Sequence, residues 1–335
     1  MPPVWALNNG SMLHVVLNVG LNHLVAVTAS GTTYIPDSIE SRIKDAKLWN
    51  DNPANAGKQI TIHIRLHVGQ YAPPYWKTAC GTVNVADKKF VAGGADVPQW
   101  WEPIYLTLYT QAMNALAAPI NNNPIIGSVN APGAAYFYPE PMLFFPGDAN
   151  TDGITNQQAL NAAGWTSSKH FAFMMEYPKR HSVFKKVVEL DLNPHSFGGV
   201  QYKDFAQVLI DTMPHGYAQI SNYSMAMKRL NGPYLALFDW LATITDKAWV
   251  GVQLARSHVI SDPDFKNQVW DDLADLCISK GYHFVETPGA LSGKSLPDGT
   301  KQGTANAWPG SFEDEPATLA IDTAAFKLNP GPVNL

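Results

Sequence analysis

Apolar and polar residues alternate along QITIHIRLH, residues 59–67. Thr61, His63, Arg65 and His67 fall on one side, and Ile62, Ile64 and Leu66 on the other. A period of two predicts a strand. A helical segment precedes it and a longer one follows, so both faces are expected to be covered. A covered face carrying an Arg and two His needs a polar destination, and the inside and mouth of a β/α barrel supply one. Gly69, Pro73, Pro74 and Trp76 come next, in a segment expected to be a non-helical loop lining that mouth.

The same reading predicts six more strands: Leu13–Gly20, Ile125–Asn130, Val187–Asn193, Tyr217–Tyr223, Trp249–Ala255 and Tyr282–Thr287. An eighth, Val4–Leu7, would close a ring. Helices are expected between most of them. One lies within Thr33–Trp49, with Asp37 or Ser38 as its cap. A second starts at Pro98 and reaches about Ala118, with Trp100, Trp101, Ile104, Leu108, Met113 and Leu116 along one side. A third begins at a Thr155/Gln158 capping box and runs to about Phe184, interrupted at Gly164 and Pro178. Others cover Tyr202–Met213 and Pro233–Thr245, and a last one runs from an Asp262 cap and Pro263 to Gly281. Thr78–Asp96 reads as a long polar loop. Ala131–Asp152 is a second long loop, rich in Pro, Tyr and Phe, and a loop of that length is usually functional.

Strands alternating with helices argue for a parallel sheet and an α/β fold. The expectation is a (β/α)8 TIM barrel over residues 1–290, a single domain with long βα loops, and an irregular tail over 291–335 packed on it. A doubly wound open sheet is the competitor, but no glycine-rich phosphate fingerprint follows any strand.

Composition narrows the partners. The 335 residues carry a net charge of -5, with 46% hydrophobic and 15% charged residues. No basic block points to nucleic acid, and no apolar run approaches the roughly 20 residues of a membrane span. MPPVWALNNG lacks the basic start and apolar run of a signal peptide; either export does not use one or a leader has been removed. An extracellular or virion-associated setting fits, and oligomeric state is open. Cys80, in a loop, and Cys277, on a helix, are expected to be free thiols.

Barrel chemistry sits at the carboxyl ends of strands. Those ends supply Asn18 and Asn22, then Arg65 and His67, Asn130, Asp191 and Asn193, Asn222 and Tyr223, Gln253, and Glu286. A ring of amide, imidazole and carboxyl groups suits the hydroxyls of a sugar, although polar residues at strand ends are also common without a ligand. Glu140 stands in Tyr136-Phe137-Tyr138-Pro139-Glu140-Pro141. A carboxyl among aromatics and prolines is poorly solvated, which favours its protonated form and suits a proton donor; the other reading is a solvent-facing loop residue. Glu286 is the second acid, or else a structural carboxylate paired with Arg65 or Arg256. Two carboxyls across one sugar are what glycosidic hydrolysis requires. Glu189 and Asp191 are reserves. Trp76 and Tyr138 are candidate contacts of the sugar ring, with Trp100 and Trp101 more distant ones, Trp101 reading better as core. Asp148–Ala159 matches the first half of a calcium loop but has Ala159 where a bidentate acid belongs, so a turn with a helix cap is expected. His63, Arg65 and His67 are not a zinc set, because Arg repels a cation. No cofactor or metal is expected, and no G-x-S-x-G elbow is present.

The order of ITIHIRLHVG, APPYW, VPQWWEPIYLTLYTQAMNALA and IIGSVNAPG resembles the glycoside hydrolases of the retaining (β/α)8 superfamily, the cellulase and β-galactosidase-like clan. That resemblance implies an acid/base glutamate directly after an Asn that follows strand four, and a nucleophilic glutamate ending strand seven. With Val4–Leu7 counted first, Asn130 is in place, but Ala131 follows it and Glu140 is the nearest glutamate. Strand seven ends in Gln253, so Glu286 on strand eight is the substitute. Three options stay open: a divergent glycosidase, an inverting enzyme, or a barrel that binds glycan without cutting it. A metal-dependent lyase or isomerase on the same barrel is a further alternative.

Overall fold

The computed structural model describes residues 14–56, 59–87, 91–133, 140–141, 145–194, 200–225, 230–254 and 270–286. Over these the chain runs β1 (His14–Gly20), β2 (Val25–Thr28), β3 (Gly31–Tyr34), α1 (Asp37–Asp51), β4 (Thr61–His67), α2 (Pro74–Cys80), β5 (Thr82–Asp87), β6 (Val91–Pro98), α3 (Pro103–Asn121) and β7 (Ile126–Asn130). It continues through α4 (Asn156–Ala162), α5 (Ser167–Glu176), β8 (Val187–Asp191), α6 (Tyr202–Thr212), β9 (Ala218–Met225), α7 (Gly232–Ala242), β10 (Trp249–Leu254), α8 (Trp270–Ser279) and β11 (Phe284–Glu286). All seven strands expected from periodicity form. Val4–Leu7, the Asp262–Pro263 cap and the 291–335 tail lie outside the described residues.

The chain packs as two units, one of Val16–Lys44 with Ile62–Pro214, the other of Met1–Val15, Asp45–Thr61 and His215–Leu335. In the first, the strand order is β1-β4-β7-β8. β4 and β7 run parallel with His63 opposite Ser128 and Ile64 opposite Val129. β7 and β8 run parallel with Val129 opposite Val188 and Asn130 opposite Glu189. This register puts Ile64, Val129 and Val188 in one row of the apolar face, all buried. His63 and Ser128 share the opposite, polar face with Arg65, Asn130 and Glu189. Both faces of β4 are covered, as its context implied: all five of its interior residues are buried.

Helix α3 buries Tyr105, Leu108, Tyr109, Ala112, Met113, Leu116 and Ile120. Of the expected stripe, Trp100, Trp101, Leu108, Met113 and Leu116 are buried and Ile104 is exposed. The helix also starts later than expected. Pro98 ends β6, and Pro103 stands at the first turn of α3, where a missing N–H costs nothing. The same principle corrects the segment after β4: Pro74 opens helix α2 instead of forbidding one. The expected polar loop Thr78–Asp96 is the end of that helix and an antiparallel hairpin, β5 with β6. Its strand period was masked by Thr82, Asn84 and Asp96 on the open face; Val83 and Val85 are buried. A second small hairpin, β2 with β3, precedes α1. Farther on, the Thr155 cap forms as expected: the Gln158 N–H donates to Thr155 Oγ1 at 3.2 Å and the Thr155 N–H to Gln158 Oε1 at 2.9 Å.

In the second unit β9, β10 and β11 are consecutive and parallel. Gly251 faces Phe284 across β10 and β11, and a Cβ on Gly251 would lie 2.2 Å from the ring. The Tyr282 hydroxyl donates to the Phe238 carbonyl at 2.7 Å, tying α7 to the start of β11. The Asn50 side chain completes a two-way bridge with Ile60, its Nδ2 donating to the carbonyl and its Oδ1 accepting from the N–H, each at 2.8 Å. That bridge joins the end of α1 to the approach of β4.

Candidate functional site

The polar face of the first unit is a connected set of groups. His63 is clasped from two strands: Nδ1 lies 2.7 Å from Ser128 Oγ on β7, and Nε2 lies 2.7 Å from Glu189 Oε2 on β8. All three side chains are buried. A carboxylate out of water needs such a partner, and for Glu189 His63 is one. Ser128 was not singled out from the sequence, where an isolated serine in a strand carries no signal.

Farther along the strands are the residues expected to hold hydroxyls. Asn130 is buried and its amide is engaged: Oδ1 accepts from the Leu66 N–H at 2.6 Å, and Nδ2 reaches the Leu66 carbonyl at 3.3 Å. It stitches β7 to the end of β4. His67 is partly open, and its Nε2 lies 3.2 Å from Asn18 Oδ1 on β1; an amide oxygen only accepts, so this nitrogen carries the proton. Arg65, Asp191 and Asn193 are buried. Arg65 stays charged at any relevant pH, and β-strand alternation sets it on the same face as His63 and His67. Glu140 is 7% exposed, in keeping with a shielded acid rather than a solvent-facing loop residue. Tyr138 lies outside the described residues.

In the second unit Asn222 and Tyr223 are buried on β9. Gln253 and Glu286 are register partners at the ends of β10 and β11. The candidate residues stand in the carboxyl-terminal halves of their strands or just past them: Asn18, Arg65, His67, Asn130, Asp191 and Asn193 in one unit, Asn222, Tyr223, Gln253 and Glu286 in the other.

Trp76 is not a platform. It is fully buried, its ring 5.1 Å from Tyr105 in an edge contact and 6.2 Å from Tyr109. The reason is α2: a helical turn swings the indole inward, where a loop would have left it at the mouth. Trp100 and Trp101 are buried as well; Trp100 Nε1 donates to His170 Nδ1 at 3.0 Å. With burial holding His170 down at about 3, that ring is neutral and able to accept. Both cysteines are free and buried, Cys80 at the end of α2 rather than in a loop, and burial pushes each thiol up to about 12, with Glu102 adding to the effect at Cys80. They are poor nucleophiles.

The calcium-like segment is a turn and a cap. Asn150 Oδ1 accepts from the N–H groups of Asp152 and Ile154. Asn156 is turned inward, bonding the Ala86 N–H and carbonyl at 2.7 and 2.8 Å and the Phe145 carbonyl at 2.9 Å. Among the described residues no group of three His, Cys, Asp or Glu is placed to hold a metal ion, and no helix is long and apolar enough to cross a membrane.

Parallel strands alternating with helices, polar at their carboxyl ends, define an α/β protein of the (β/α)8 class. Three solved structures of endo-glycoceramidase II from Rhodococcus sp. are similar in fold: the enzyme (TM-score 0.50, 12% identity), its lactosyl-enzyme intermediate (TM-score 0.51, 12% identity) and its complex with a five-membered iminocyclitol (TM-score 0.51, 13% identity). Each comparison covers 89% of this chain and 70% of the other. No protein-family model matches the sequence, and no curated protein matches it.

Proposed function

We propose that this chain is a glycoside hydrolase that cleaves a glycosidic bond in a poly- or oligosaccharide. The observation that carries the reading is a fold shared over 89% of the chain with an enzyme solved as a lactosyl-enzyme intermediate. In this reading Glu140 is the proton donor and Glu286 the nucleophile or base. A shielded carboxyl after the fourth barrel strand, counting Val4–Leu7 first, supports the first role. The place of Glu286 beside Gln253, where the clan it resembles carries its second glutamate one strand earlier, supports the other. Arg65, His67, Asn193, Tyr223 and Gln253 hold hydroxyls. Asn130 acts mainly by fixing the end of β4, with one amide hydrogen left for a ligand.

The test is product release from β-linked oligosaccharides and a glycosylceramide, with the anomer of the first-formed sugar followed by NMR. Glu140→Gln and Glu286→Gln should each cut turnover by about 10²–10⁴-fold while leaving the fold intact. Near-wild-type rates in either variant would remove that residue from the mechanism. Binding without release across the panel would identify a glycan-binding barrel, and activity abolished by chelator would indicate metal-dependent chemistry.

A further inference from the structure

Gly133 lies three residues past the end of β7, on the way to Glu140. Its φ is +54°, a left-handed conformation that glycine adopts without strain. A Cβ there would sit 2.6 Å from Cζ of Tyr177, so the glycine is held against that ring. Its peptide groups are held too. The Tyr105 hydroxyl donates to the Gly133 carbonyl at 3.0 Å, and the Gly133 N–H donates to the Tyr109 hydroxyl oxygen at 3.3 Å.

Tyr109 has a second partner, His181 Nε2, at 3.2 Å. Counting protons fixes the direction of every bond. The Pro178 carbonyl, 3.3 Å from His181 Nδ1, only accepts, so the proton of the neutral ring is on Nδ1 and Nε2 is bare. The Tyr109 hydroxyl therefore gives its one proton to Nε2 while its oxygen accepts from the Gly133 N–H. The run Gly133 N–H, Tyr109 O–H, His181 and Pro178 C=O thus has a single orientation. His181 is fully buried, and burial holds it down at about 4, so it stays the neutral acceptor the run needs.

We propose that Tyr109 is a positioning residue: by accepting from the Gly133 amide and donating to His181, it fixes the backbone at Gly133, the last described residue before Glu140 in sequence. The inference rests on the reading of Glu140 as the proton donor. Tyr105 and Tyr109 are one helical turn apart on α3, their rings stacked 6.1 Å apart at 22°. Phenylalanines would fill that space equally well. Two hydroxyls directed at one buried peptide mark the placement of the backbone as the task.

Tyr109→Phe keeps the ring and removes both bonds. It should lower kcat on a cleaved glycoside about ten- to a hundredfold with KM little changed, as expected of a misplaced acid. Hydrogen exchange of the Gly133 amide should speed up, and the ¹⁵N spectrum of His181 should lose its single Nδ1–H tautomer. Tyr105→Phe should slow turnover less and leave that tautomer in place. A folded Tyr109→Phe with wild-type kcat would overturn the proposal, as would an Nε2–H tautomer in the wild type. If the wild type cleaves no glycoside, the hydrolase reading falls, and Gly133 exchange and the His181 tautomer judge the relay by themselves. Should Tyr109→Phe fail to fold, the wild-type tautomer and Tyr105→Phe decide.

Discussion

Gln253 and Glu286 are register partners on the parallel strands β10 and β11. An uncharged amide therefore accompanies the candidate base on the adjacent strand. Gln253→Glu would place a second acid at the register position opposite Glu286, and a nearby like charge favours protonation of one of two acids. If Glu286 acts in its ionised form, the ascending limb of the pH profile of kcat/KM should move to higher pH in this variant. An unmoved limb would detach Glu286 from the titration that controls the rate.

His63 and Glu189 should behave as a coupled pair. Removing one partner leaves the other buried and poorly compensated, a cost of about 3–5 kcal/mol. Glu189→Leu alone is expected to lose that much stability in denaturant unfolding. The double variant His63→Leu, Glu189→Leu should lose clearly less than the two single losses combined, because the partners of the 2.7 Å contact leave together and Ser128 Oγ loses its His63 bond only once. Strict additivity would show that the 2.7 Å contact contributes nothing.

Gly251→Ala tests the packing of β10 on β11. The added methyl would meet the Phe284 ring at 2.2 Å, and overpacking of this kind costs about 1–3 kcal/mol. Thermal unfolding should show the loss, and a Phe284→Leu background should reduce it. Equal losses in both backgrounds would point to a backbone cause instead.

Stability should fall in mild acid. Burial lowers His181 to about 4 and His170 to about 3, against an unfolded value near 6.5. Below about pH 6.5 the unfolded chain takes up protons that the folded chain refuses, so stability rises with pH through this window. The contribution of His181 is fully present above about pH 6.5 and lost as pH falls toward 4, on the order of 3 kcal/mol. In His181→Gln the slope of unfolding free energy between pH 4 and 6.5 should flatten. An unchanged slope would mean that the buried ring titrates normally.

Asn156→Ala removes the bridge to both peptide groups of Ala86 and to the Phe145 carbonyl. Buried groups left without partners cost about 1–3 kcal/mol each. A loss of at least that size is expected in denaturant unfolding, with no dependence on added calcium. A calcium-dependent loss would restore the segment as a cation loop.

Much of the fold was legible. Strands covered on both faces read as short apolar runs between turn residues, and β1, β7, β8, β9, β10 and β11 were recognisable on that basis. The polar side of β4 was readable from alternation alone. The two hairpins were not, because half-exposed strands such as Thr82–Asp87 are too polar and too short to stand out from a loop. Trp76 was misplaced for a related reason: Pro73-Pro74 reads equally well as a helix stop or a helix start, and which it is depends on what the next turn can pack against.

From its residue order alone, this chain declares a parallel α/β architecture, a polar face on β4, and the acids and amides at strand ends. Periodicity is a local property, written within a few residues of itself. Which of those groups meet is a different matter. That His63 closes on Ser128 and Glu189, that Asn130 binds the backbone of Leu66, and that three tyrosines and a histidine converge on Gly133 follow from strand register and from the rotation of α3. Those are settled only when distant segments compete for the same buried space and every polar group taken out of water must find a partner there.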